Sequence, residues 1–354
     1  MSSQEDNTNE LEDSLSSNLE TYTELNFDID FNVEEQISDL YSKLDNCPNL
    51  HELYLNCYDF NDEQFSELGA RIGKCSKLKI FEINILPSED FTGSGANGFS
   101  IGLADCLNLT DFKLKSSEEG SRLYDEGAIG LCSGLSKCQN LTNLILEITG
   151  EYQYVQDDGA IGIGAGLSNC PNLTTLKLIF GPNRGDSILA EGATGLGDGL
   201  GKCKALRDLS IEFNGCSIEC EGATGLGIGL GNCASLTTLQ LHLQCLEIQG
   251  VSTLASMIGL CSNLKILALN LCHNNFGYEA ILDLTSGLNR CLNLKSLTFG
   301  IVLCDNNMSP LCSNLAQIKC LTTLTFNGIN KQMIQKMKNR LQKLCIRLIN
   351  ININ

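Results

Sequence analysis

One phrase, C-x-x-L-x-x-L-x-L with Phe or Ile standing for leucine in some copies, occurs nine times in a single register. Its cysteine falls at Cys47, Cys75, Cys106, Cys138, Cys170, Cys203, Cys233, Cys261 and Cys291. Successive cysteines are 28, 31, 32, 32, 33, 30, 28 and 30 residues apart. Ile318 takes the cysteine place in a further copy ending Leu321, Leu324, Phe326, and Leu19 takes it in a degenerate first copy ending Tyr22, Leu25, Phe27. A repeat of this length is one supersecondary unit that cannot bury its own apolar face, so it must stack on its neighbours.

Each unit contains two periods. After the cysteine, apolar residues alternate, as in Leu206, Leu209, Ile211 and Phe213, which is the pattern of a short strand with one face buried. Before it, Ala193, Leu196, Leu200 and Cys203 fall on one helical face. A strand and a helix every thirty or so residues, all running one way, predict an α/β fold: a curved parallel solenoid.

The stretch Gly192 to Phe213, GATGLGDGLGKCKALRDLSIEF, has the glycine density of a phosphate-binding loop. A dinucleotide or P-loop motif, however, follows a strand and opens a helix. These glycines lie inside the helix and precede the strand, so no nucleotide or other cofactor is expected. Gly195 and Gly199 fall on one flank of the apolar stripe, Gly197 and Gly201 on the other. The first flank recurs as Gly98/Gly102, Gly130/Gly134, Gly162/Gly166 and Gly225/Gly229. Each helical glycine costs about 0.5–1 kcal/mol relative to alanine, so close helix stacking is expected to compensate.

With these units the chain resembles the leucine-rich repeat family, most closely its ribonuclease-inhibitor-like branch, over roughly residues 19–350. The resemblance implies a horseshoe with the parallel sheet on the concave face and helices on the convex face. The layout read from it is an acidic, disordered tail at 1–17 and a single leucine-rich repeat domain at 18–354 of about ten to twelve units. Residues 18–46 would cap its N-terminal end and 330–354 its C-terminal end, through the basic amphipathic KQMIQKMKNRLQKL and a last edge strand in CIRLINININ. One departure is visible: the family's Asn or Cys three residues after the last strand leucine is mostly replaced, by Tyr58, Leu86, Ser117, Thr149, Gly181 and Gln244 among others. No asparagine ladder is expected there, and the strands should run a residue or two longer.

The net charge is −18, and residues 1–42 hold twelve Asp or Glu with no Lys or Arg. Such a body repels nucleic acid and anionic lipid and favours basic partners. No apolar run reaches the eighteen or so residues of a membrane-spanning helix, and MSSQEDNTNE is unlike a signal peptide. The nineteen cysteines then read as reduced thiols of a cytoplasmic protein.

Catalytic chemistry finds little material. The three histidines, His51, His242 and His273, fall in three separate copies, and His51 and His242 read as exposed strand positions. Cys216, Cys220, Cys245, Cys272 and Cys304 could meet at one rim, but their spacing is weak for a metal site. Loop thiols such as Cys216 and Cys245 are expected to react faster than register thiols such as Cys170 and Cys233. The sequons at Asn108, Asn140 and Asn172 read as by-products of the repeat, and the Thr pairs as strand propensity.

The expected function is a non-enzymatic protein-interaction scaffold, without cofactor or metal, binding another protein and neither nucleic acid nor membrane. The solvent-facing column on the sheet reads Tyr54, Glu82, Lys113, Ile145, Lys177, Ser210, Gln240, Ala268, Thr298 and Thr325. Longer inserts in the first half carry Tyr124, Tyr152, Tyr154 and Arg184, residue types common at binding hot spots. The candidate partner-binding residues are therefore Tyr54, Glu82, Lys113, Tyr124, Ile145, Tyr152, Tyr154, Lys177 and Arg184. The alternatives are a regulator or inhibitor of an enzyme, ribonuclease-inhibitor-like or GTPase-activating in type, and a structural subunit of a cytoskeletal or ciliary assembly.

Overall fold

The alternating residues after each register position form a strand in every copy. The structure is a computed structural model, and it describes residues 21–86, 91–116, 123–149, 155–181, 188–243, 248–272, 278–300, 308–327, 331–344 and 350–353. The strands are β1 (Glu24–Asp30), β2 (Glu52–Tyr58), β3 (Ile80–Ile85), β4 (Asp111–Ser116), β5 (Asn143–Ile148) and β6 (Thr175–Phe180). They continue as β7 (Asp208–Phe213), β8 (Thr238–His242), β9 (Ile266–Asn270), β10 (Ser296–Gly300), β11 (Thr323–Asn327) and β12 (Asn350–Ile353). Between them run α1 (Glu34–Asn46), α2 (Asp62–Ile72), α3 (Gly93–Leu103), α4 (Tyr124–Leu135), α5 (Asp157–Leu167) and α6 (Ala190–Leu200). The remaining helices are α7 (Glu219–Gly231), α8 (Ile248–Ile258), α9 (Tyr278–Leu288), α10 (Met308–Leu315) and α11 (Lys331–Leu344).

The strands form one open, twelve-stranded sheet in strict chain order, every pair parallel, with Leu176 opposite Leu209 and Leu297 opposite Leu324. From β3 to β7 the strands run two residues past the last motif leucine or isoleucine, as in Ile211 to Phe213, which matches the longer strands expected. Leu209, Ile211 and Phe213 from a strand, Leu196 and Leu200 from the preceding helix and Leu206 from the turn between are all buried in one continuous core. Each such side chain contributes about 1.5–3 kcal/mol. Strands pair about 4.8 Å apart while helices pack about 8–10 Å apart, so a stack of these units curves with the sheet inside.

The register cysteine does not end the helix face. α6 stops at Leu200, and Cys203 follows a turn. There its thiol donates to the Leu167 carbonyl in the last turn of the previous helix at 3.4 Å, as Cys233 does to Leu200 and Cys261 to Leu230, both at 3.2 Å. The last carbonyls of a helix have no partner within it. A small apolar side chain carrying one weak donor both fills this site and satisfies the carbonyl.

Two further ladders run beside the cysteines. Asn108, Asn140, Asn172, Asn263 and Asn293 each donate Nδ2 to a carbonyl of the preceding copy, at 2.7–2.9 Å. Thr110, Thr142, Thr174, Thr237 and Thr322 donate Oγ1 to the preceding copy at 3.1–3.2 Å. The asparagine ladder thus stands two residues after the cysteine, before the strand rather than after it. The threonines do more than follow strand propensity.

Glycine sets how closely the helices approach. A Cβ on Gly199 would lie 2.0 Å from the Gly164 carbonyl oxygen, and one on Gly229 would lie 2.0 Å from that of Gly197. Gly195 and Gly199 face the helix before and Gly197 the helix after, as the two flanks imply. At the other end of the helices, Asp157 Oδ1 accepts from the Leu189 and Gly192 N–H groups of the next unit, both at 2.8 Å. Asp125 does the same for Gln156 and Gly159. Burial pushes the Asp125 carboxyl up, and these backbone donors pull against it.

The N-terminal core is aromatic: the Phe65 ring stacks on Phe60 and Phe99 at centroid distances of 4.8 and 4.4 Å. Arg71 of α2 lies over the Tyr41 ring of α1 at 4.2 Å. At the other end α11 buries Met337 and Leu341, and β12 pairs with β11. No helix among the described residues is long and apolar enough to cross a membrane.

Candidate interaction surface on the open sheet face

Side chains of a strand alternate between faces; half of each strand's residues pack on the helices and the rest stand on the open face. Tyr54, Glu82, Lys113, Ile145 and Lys177 are paired residue by residue across β2 to β6. The column continues through Ser210, Gln240, Ala268, Thr298 and Thr325. The structure brings together all five of the first group, as the register demands. Tyr124 stands apart, opening α4 with a positive φ of 48°. Tyr152, Tyr154 and Arg184 lie outside the described residues, as do the tail at 1–17, His273, Cys245 and Cys304.

The charged residues of the first half are engaged with one another. Lys113 Nζ lies 2.7 Å from Glu82 Oε2. Glu147 binds two lysines, Lys115 at 3.0 Å and Lys177 at 2.8 Å. Burial alone would raise the Glu147 carboxyl; hydrogen bonds from Lys177 and Lys115 outweigh it and hold the group below its ordinary range. Tyr54 donates its hydroxyl to Glu52 Oε2 at 2.8 Å, and that bond, with some burial, pushes its pKa up to about 12. Asn84 donates to Asn56, and Asn56 to Asp28, at 2.6 and 2.5 Å.

Lys115, Glu147, Asn56 and Asn84 belong to the column two residues further along each strand. Sequence reasoning missed them although the same register defines that column. In that column Ile179 separates Glu147 from Glu212 of the second half.

From β7 to β11 the face is hollowed. Ser210, Gln240, Ala268 and Thr298 of one column and Glu212, His242, Asn270 and Asn327 of the next line a depression of about 210 Å³. It exists because the column residues shrink to serine, alanine and threonine. The second half of the face, where Ser210, Ala268 and Thr298 are small, is thus a shaped recess. His242 lies in it half-buried, and His51 precedes β2, also half-buried, so neither is a freely exposed strand residue. A second depression, at the strand starts, is lined by Thr23, Glu24, His51, Glu52, Lys79 and Ile80.

Cysteine placement corrects one expectation. Cys216 is fully buried, because the segment before α7 folds inward onto the core with Ile218. It therefore does not form a reactive loop thiol. Cys220 and Cys272 are partly exposed and Cys320 is exposed. The buried register thiols are pushed up by desolvation, to about 11 for Cys170 and Cys233. Among the described residues no three His, Cys, Asp or Glu side chains are grouped to hold a metal ion.

No protein-family model and no curated protein matches the sequence.

Proposed function

We propose that this chain is a leucine-rich repeat protein of the ribonuclease-inhibitor-like kind, acting as a non-enzymatic scaffold that holds another protein on its open sheet face. The observation that carries this is the face itself: twelve parallel strands in chain order, presenting in-register, mainly polar columns of side chains with no helix over them among the described residues. A surface of that extent suits a protein partner better than a small substrate, which calls for an enclosed pocket. The net charge of −18 favours a basic client, and a basic enzyme held in check is the form this takes if the scaffold is a regulator. All sixteen described cysteines are free thiols, which suits a reducing, cytoplasmic setting.

The test is affinity capture from native extract with three baits: the unchanged chain, a sheet-face variant Gln240→Arg and a helix-face variant Asp198→Arg. Gln240 and Asp198 are both exposed. A partner retained by the first and third baits and lost from the second supports the proposal. A partner indifferent to Gln240→Arg and lost with Asp198→Arg contradicts it.

A further inference from the structure

Charge on the open face is distributed unequally in a way that the residue types alone do not reveal. In the first half the basic side chains are already spent, Lys113 on Glu82 and both Lys115 and Lys177 on Glu147. In the second half the recess between β7 and β11 has no Lys or Arg among its lining residues. Glu212 lines it with neither an ion pair nor a side-chain hydrogen bond among the described residues. At the far end Asn327 Oδ1 is a buried acceptor with no hydrogen-bond partner among the described residues. Leaving such an acceptor unpaired is unfavourable.

We propose that this recess is the anchor subsite for an extended segment of the partner protein, which crosses the strands and places a cationic side chain against Glu212. The geometry fits such a segment. Glu212 and Asn327 stand on strands four apart in the sheet, about 19 Å at 4.8 Å per strand, which is the span of about six extended residues. The small Ala268 and Thr298 between them leave room for the segment to lie low, and Gln240 and Ser210 offer amide and hydroxyl groups to its backbone. Charge complementarity selects the occupant: beside the His242 imidazole the lining holds one carboxylate without a described ion pair, several carbonyl-type acceptors and no Lys or Arg. This rests on the reading of the open face as a protein-binding surface and adds which part of it holds the partner, and by what chemistry.

The experiment uses the full chain with labelled alanine and leucine methyl groups, followed by NMR. The probe is acetyl-Gly-Ser-Arg-Ser-Gly-Ser-amide, its control the same peptide with neutral citrulline for arginine. Saturable shifts at Ala268, Leu241 and Leu269 with the arginine peptide, at least fivefold weaker with citrulline and in Glu212→Gln, are expected. Equal shifts with both peptides, shifts unaffected by Glu212→Gln, or none at those methyls would overturn the proposal. Unchanged resonances elsewhere show that Glu212→Gln is folded, and Glu212→Asp, which keeps the charge, should retain most binding. Capture of a partner by the sheet face without arginine binding here would sink the subsite and leave the scaffold reading standing. Loss of capture with arginine binding intact would do the reverse.

Discussion

Gly199 packs against the Gly164 carbonyl of the helix before it so closely that a Cβ would lie 2.0 Å from that oxygen. The contact is backbone on backbone, so no side-chain rotation relieves a clash there. Gly199→Ala should destabilise the fold by about 2 kcal/mol or more. Gly201, in the same copy, has no atom nearer than 3.3 Å to its Cβ position. Gly201→Ala should cost far less than Gly199→Ala, since the neighbour need give only by a few tenths of an ångström and alanine restricts the unfolded chain. Chemical denaturation of the two variants checks this, and equal effects would contradict close stacking.

The asparagine ladder makes a second expectation. Asn140 Nδ2 donates to the Leu107 carbonyl at 2.9 Å. Asn140→Ala leaves that acceptor to water and should cost about 1 kcal/mol. The same change at Asn46, whose amide reaches only Ser42 of its own helix, should cost less. Urea unfolding midpoints distinguish them.

Thiol reactivity follows burial. Cys320 is exposed while Cys170, Cys216 and Cys233 are buried. An aromatic disulfide reagent at pH about 8, with sites mapped by mass spectrometry, should modify Cys320 first. Cys170 and Cys233, pushed up to about 11, should react only as the chain opens. Early labelling of Cys216 would show that the segment before α7 does not fold onto the core.

Glu147 gives the pH dependence. Its folded pKa is held below the ordinary value by Lys177 and Lys115 against the opposing effect of burial. A lowered carboxylate contributes stability above its unfolded pKa and loses it as pH falls through the folded one. Glu147→Gln should therefore cost about 1 kcal/mol near neutral pH, a difference that shrinks as the medium is acidified below the carboxylate range. Stability curves of both proteins from neutral to acid pH measure it, and a gap that widens in acid would contradict the ion-pair arrangement.

What the sequence made legible was whatever the repeat encodes. The phrase around Cys203 locates strand, turn and helix together, and the register alone aligns Tyr54, Glu82, Lys113, Ile145 and Lys177. What it concealed was pairing. Lys177 looks available in its own column, and only the neighbouring column shows it committed to Glu147. Cys216 looked like a loop residue because no periodicity marks the segment before α7, yet tertiary packing buries it. The recess at Ala268 was invisible because a hollow is made by what neighbouring side chains lack, and small residues carry no motif.

The claim that matters most is that the open sheet face, rather than the helices, takes the partner. Photo-crosslinking residues placed one at a time at Gln240 and Lys177 on the sheet, and at Ser133 and Asp198 on exposed helix positions, would test it in native extract. One protein crosslinked from Gln240 or Lys177 and absent from Ser133 and Asp198 is the expected result. The same protein crosslinked from Ser133 or Asp198 and from neither sheet position would contradict it.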